Sequence, residues 1–174
     1  MKLLKRSLDD NNILFYKYNK KSQKILDLYG DHKLTKIYLV RHPFSKLISF
    51  LLNIITLYNY EKLITESQDN FPYHTLLVFE IILNNGIKKW ILLEKNNCIN
   101  ISDNFIIHNN QEIINVKVNQ DKLTTINDIL KKTQNRIGNE RFFNWHLYKN
   151  NCQEFTKEIL IFTNCQWQWV SSLL

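Results

Sequence analysis

Residues 73–83, YHTLLVFEIIL, run into Asn84-Asn85-Gly86 and then into residues 88–94, KKWILLE. Two runs rich in β-branched and aromatic residues, separated by an Asn-Gly turn signal, predict a β-hairpin in the middle of the chain. Further out, residues 97–101 (NCINI) and 112–118 (EIINVKV) have the same strand character. Before the hairpin, residues 13–19, 25–29 and 35–41 are short, apolar and punctuated by Asn-Lys-Lys and Gly-Asp-His. They predict three strands of an antiparallel meander.

Helical spacing appears in three places. Pro43 suits the first turn of a helix, and Phe44, Leu47, Ile48, Leu51, Leu52, Ile55 and Tyr58 follow at a helical period. Residues 124–135 predict a second helix, with Thr124 or Thr125 as its cap. The segment 139–149 is aromatic and irregular. Residues 152–162 turn helical again, with Phe155, Ile159 and Phe162 on one side and Glu154 and Lys157 on the other. The fold class is therefore α+β with a mostly antiparallel sheet. No linker rich in Pro, Gly or Ser interrupts the chain.

The chain has 174 residues, enough for one domain. Hydrophobic residues at 44% and charged residues at 22% exclude disordered and fibrous classes. A formal charge of +7 permits an anionic partner, but the basic residues fall in isolated pairs: Lys20-Lys21, Lys88-Lys89 and Lys131-Lys132. That scatter, without a reader motif, makes nucleic acid an unfavoured partner. Alanine is absent and Asn, Ile and Lys are abundant, a bias that A/T-rich coding explains without a physical cause. Three cysteines, with no metal-type pairing, argue for a reducing, intracellular setting rather than a disulfide framework. No signal-like or membrane-length apolar run is present, and no metal or cofactor is implied.

Chemistry concentrates at Asn150-Asn151-Cys152-Gln153-Glu154-Phe155. A thiol at a helix start meets the positive end of the dipole and free backbone N–H groups, which favour thiolate and can stabilise an oxyanion. A lone cysteine there is more often structural, so it needs a base. His74, at the head of an apolar strand, is the best placed of five histidines, because its ring can reach over the sheet end. His146 would need a tight turn to meet Cys152. His32, His42 and His108 lie in polar or turn surroundings. Glu94 falls on the same side of a regular hairpin as His74 and could orient the imidazole. It reads equally well as an exposed carboxylate paired with Lys95.

Taken together, Tyr73-His74-Thr75-Leu76, the hairpin, Leu93-Glu94-Lys95-Asn96 and Asn151-Cys152-Gln153-Glu154-Phe155 resemble the permuted papain-like group of the NlpC/P60 superfamily. In that group the chain order is His, polar residue, Cys. The resemblance covers roughly residues 37–162 and is nearest to members encoded by large DNA viruses such as poxviruses, iridoviruses and ascoviruses. Those members also carry an Arg-x-Pro motif, here Arg41-His42-Pro43.

The resemblance implies an antiparallel sheet packed against a helix that carries the nucleophile. It implies a catalytic domain at 37–174; residues 1–36, without a counterpart in the group, read from their strand pattern as an N-terminal β extension. Cys152 would be the nucleophile, His74 the base and Glu94 the third polar residue; helix-start geometry, rather than the resemblance, sets the Gln153 amide beside the oxyanion. The expected activity is that of a thiol-dependent peptidase, amidase or related acyl hydrolase or transferase, without a cofactor, in an infected cell or virion. Its partners would be a protein or lipid acyl substrate and a host or virion protein. Two other readings stand beside it: a silent papain-like scaffold, and a basic nucleic-acid-binding protein. The aromatics Phe142, Phe143, Trp145, Tyr148, Trp167 and Trp169 could line an acyl groove or fill a core.

Overall fold

The computed structural model describes residues 16–43, 73–106, 109–116, 124–146 and 150–163. Its sheet is built around the hairpin. Strands β1 (Lys33–Pro43), β2 (Tyr73–Ile82), β3 (Lys88–Lys95), β4 (Ile99–Ser102) and β5 (Glu112–Asn115) lie in the order β4-β3-β2-β1-β5. Every neighbouring pair is antiparallel. Among the described residues the helices are α1 (Lys20–Tyr29), α2 (Ile126–Ile137), α3 (Asn139–Phe143) and α4 (Cys152–Ile161). The class is α+β.

The turn between β2 and β3 follows from its sequence. Gly86 N–H donates to the Leu83 carbonyl at 2.8 Å and Leu83 N–H to the Ile87 carbonyl at 2.9 Å, closing a three-residue loop. Gly86 sits at φ 80°, a left-handed conformation that a side chain would strain. This turn sets the register, pairing Ile82 with Lys88 and Leu76 with Glu94.

The strand β2 is apolar almost throughout because both of its faces are covered. Leu77, Phe79 and Ile81 join Ile37, Leu39, Ile91 and Leu93 under the helices, where Ile126, Leu130, Phe142, Phe155 and Ile159 meet them. On the other face Leu76 and Val78 pack with Val40, against Tyr38, Leu92 and Phe105. Each fully buried Leu, Ile or Phe in these layers contributes about 1.5–3 kcal/mol of transfer free energy.

The N-terminal meander is corrected: residues 20–29 form a helix, so the strand expected at 25–29 is absent. The physical reason is local. Asn19 caps the helix by accepting from Ser22 N–H at 2.8 Å, and Ser22, Ile25 and Leu26 then face inwards at helical spacing. The hydroxyl of Ser22 is stitched to β4, accepting from Ile101 N–H at 2.9 Å and donating to the Ile99 carbonyl at 3.3 Å. Gly30 ends the helix where Asn127 comes too close for a Cβ, 2.4 Å from the Asn127 side-chain oxygen. Residues 16–19 are not a strand, and 13–15 lie outside the described residues. The 36/37 boundary drawn for a β extension falls inside β1, and Ile25 and Leu26 share the main core.

Other expectations fare differently. The strand at 35–41 lies within β1, while those at 97–101 and 112–118 appear as the shorter β4 and β5. Residues 117 and 118 lie outside the described residues. Thr125 caps α2 by accepting from Asp128 N–H at 3.1 Å. Residues 139–143, expected to be irregular, form a short helix whose Phe142 and Phe143 enter the core rather than a groove. Trp145 is exposed, and Tyr148, Trp167 and Trp169 lie outside the described residues. Pro43 is the last residue of β1, and the helix expected at 44–58 also lies outside them. No described helix is long and apolar enough to cross a membrane.

Candidate functional site

The start of β2, the end of β3 and the start of α4 meet at one end of the sheet. Helix α4 begins at Cys152 because Asn151, in extended conformation, accepts from Glu154 N–H at 3.0 Å and caps it. The cysteine thus sits at the first helical position, where backbone amides and the helix dipole favour a negative charge. It is buried, 7% exposed. Gln153 fastens the same turn to the sheet, its side-chain amide donating to the Tyr73 carbonyl at 3.1 Å, one residue before His74. Four residues into the helix, the Thr156 and Thr75 hydroxyls share a buried hydrogen bond at 3.2 Å.

His74 lies between two partners. Its Nε2 is 2.7 Å from Glu94 Oε1. A carboxylate can only accept, so Nε2 carries the proton, which leaves Nδ1 for the Cys152 thiol. The hairpin register explains the first contact. Leu76 pairs with Glu94, so His74, two residues earlier on the same face, is the diagonal neighbour of that carboxylate. Asn96 donates to Glu94 Oε1 at 2.9 Å from beyond the strand end and holds it in place.

The electrostatics follow from these contacts. Burial opposes a charged ring at His74, but hydrogen bonds and charge from Cys152 and Glu94 outweigh it and raise its pKa from 6.5 to about 9. Burial alone would push the Cys152 thiol up. The hydrogen bond and charge of His74, together with the Thr75 N–H and hydroxyl, bring it below its ordinary value. Glu94 is held low first by its bond to His74, against burial, with help from Asn96. Imidazolium and thiolate therefore stabilise each other, the state in which a cysteine attacks a carbonyl.

The remaining expected residues separate cleanly. His146 exchanges backbone hydrogen bonds with Asn150 but is exposed, whereas His74 bonds the thiol. His42 stands opposite His74 in the β1–β2 register, and His32 packs beside the Tyr29 ring. His108 lies outside the described residues. Cys98 is a free thiol on the surface, Cys152 a free thiol in the site, and Cys165 lies outside the described residues. No described cluster of three or more His, Cys, Asp or Glu could hold a metal ion.

Sequence reasoning missed Lys95. Instead of pairing with Glu94, its side chain passes to the helix face of the sheet. There its ammonium donates to the Arg141 carbonyl at 2.9 Å and to Asn150 Oδ1 at 3.0 Å. Burial, and then the nearby Arg141 charge, pull its pKa down to about 8. Strand parity was the available signal, because consecutive residues 94 and 95 must face opposite sides. The support from Gln153 and Thr156 left no comparable trace in the sequence. Compared with protein-family models, curated proteins and solved structures, the chain matches none.

Proposed function

We propose that the chain is a thiol-dependent acyl hydrolase or transferase of the permuted papain-like type, akin to the enzymes of large DNA viruses. One observation carries the reading: a single imidazole, His74, is hydrogen-bonded both to a carboxylate and to a cysteine at a helix start. In the reaction the Cys152 thiolate attacks an amide, ester or thioester carbonyl, forming a C–S bond and an oxyanion. Backbone amides at the start of α4, that of Gln153 among them, receive the oxyanion. His74, holding the proton on Nδ1, gives it to the departing amine, alcohol or thiol as the acyl thioester forms. It then takes a proton from water or a second acceptor, which releases the acyl group. Glu94 keeps the ring in the orientation that serves both steps and stabilises its charge.

The burial of Cys152 favours a second reading, a papain-like scaffold without turnover, since little of the thiol meets solvent. Profiling wild type against Cys152→Ala on peptide and lipid acyl substrates, in lysate from infected or host cells, separates the two. The enzyme reading expects a substrate consumed by wild type alone. Equal profiles from both proteins, with the Cys152 thiol open to small alkylating agents, would establish the scaffold.

A further inference from the structure

Lys95 is 1% exposed, and its ammonium joins three pieces of chain that surround the start of α4. The Arg141 carbonyl belongs to α3, Asn150 lies two residues before Cys152, and the Phe155 ring, three residues after it, faces the ammonium at 5.1 Å. Asn150 is itself buried, and its amide donates to the Asn144 carbonyl, so the residue is held from both sides. The neighbouring residue, Glu94, holds His74 on the opposite face of the strand.

The geometry points to Lys95 as a positioning residue that clamps Asn150, and with it the start of α4, to β3, so that one strand sets both Cys152 and His74. The inference rests on the reading of Cys152 as the nucleophile. A buried ammonium must be matched by acceptors, and here one of them, Asn150, stands two residues before the cysteine at the helix start. An apolar residue would fill the same space but leave Asn150, and with it the thiol two residues on, free to move off the imidazole. Proximity chemistry is sensitive to displacements of that kind.

The test uses the full chain with Cys98 and Cys165 replaced by Ser, so that iodoacetamide reports Cys152 alone. Lys95→Met, Asn150→Ala and the double variant are compared with this parent, with circular dichroism to confirm folding. At about pH 6 each single variant should alkylate about tenfold more slowly, equivalent to about one unit of lost thiol acidity. The double variant should lose clearly less than the product of the two singles, because both changes break the Lys95–Asn150 contact they share. Asn150→Asp, which keeps an acceptor for the ammonium but gives up the donor to the Asn144 carbonyl, should recover most of the loss seen in Asn150→Ala.

A merely structural lysine would lower the melting temperature and leave the pH profile of alkylation unchanged. That outcome overturns the proposal, as does a double variant whose loss is the product of the two singles. If Lys95→Met does not fold, the alkylation profile of Asn150→Ala decides the matter by itself. The readout needs no substrate, so the two readings can fail separately. Shifted profiles in a protein inert towards every acyl substrate uphold the clamp and sink the enzyme. Parental profiles in an active enzyme do the reverse.

Discussion

Replacing Glu94 by Gln removes a charge while preserving the shape and an acceptor oxygen beside His74. The two side chains are 2.7 Å apart and only 16% and 24% exposed, so solvent screens the pair weakly. Glu94 and Cys152 together lift the His74 pKa to about 9 against the cost of burial. An opposite charge at this range is worth roughly 1–2 pKa units, so the variant imidazolium should titrate roughly that much lower. Each unit lost is tenfold in the balance between thiolate–imidazolium and the neutral pair. Alkylation of Cys152 by iodoacetamide, followed from about pH 4 to 10 in a background lacking the other two cysteines, reads that balance. At about pH 6 the variant should react at least about tenfold more slowly, and its alkaline inflection should move down from about 9. An unchanged profile in a folded Glu94→Gln protein would refute the chain of reasoning from carboxylate to imidazole to thiol.

In the wild type, turnover should follow a bell. It rises as the Cys152 thiol, acidified by His74, deprotonates, and falls as His74 loses its proton at about 9; a single rising limb would contradict this. Asn151→Ala removes the cap of α4 and should cost about 1 kcal/mol, measured by urea denaturation, with slower Cys152 alkylation. Thr156→Val breaks the buried hydroxyl pair with Thr75 and should also cost about 1 kcal/mol in the same assay. A cost near zero would show that the helix does not lean on the sheet through this bond.

The hairpin was legible because turn chemistry, apolar content and register agreed there. Asn84-Asn85-Gly86 set the loop, and the loop set which side of β3 faces His74. Cys152 was legible as a helix start because Asn151 is a strong capping residue ahead of a helical apolar stripe. Residues 25–29 were misread because ILDLY suits a strand when taken alone. The capping contact of Asn19 and the seating of Ser22 on β4, far away in sequence, decide for helix. Lys95 was only half legible: strand parity sets it on the face opposite Glu94, but a lysine beside a glutamate looks like a surface pair. Only the position of Asn150 and Arg141 in space gives its ammonium somewhere buried to go.

The central claim is that Cys152 carries the acyl group. Incubation with an activated aryl ester, acid quenching and peptide mass mapping test it directly. An acyl thioester should be found on the peptide bearing Cys152 in wild type, and should fall below detection in Cys152→Ala and sharply in His74→Gln. Acylation confined to Cys98 or Cys165, or persisting in Cys152→Ala, would contradict the account.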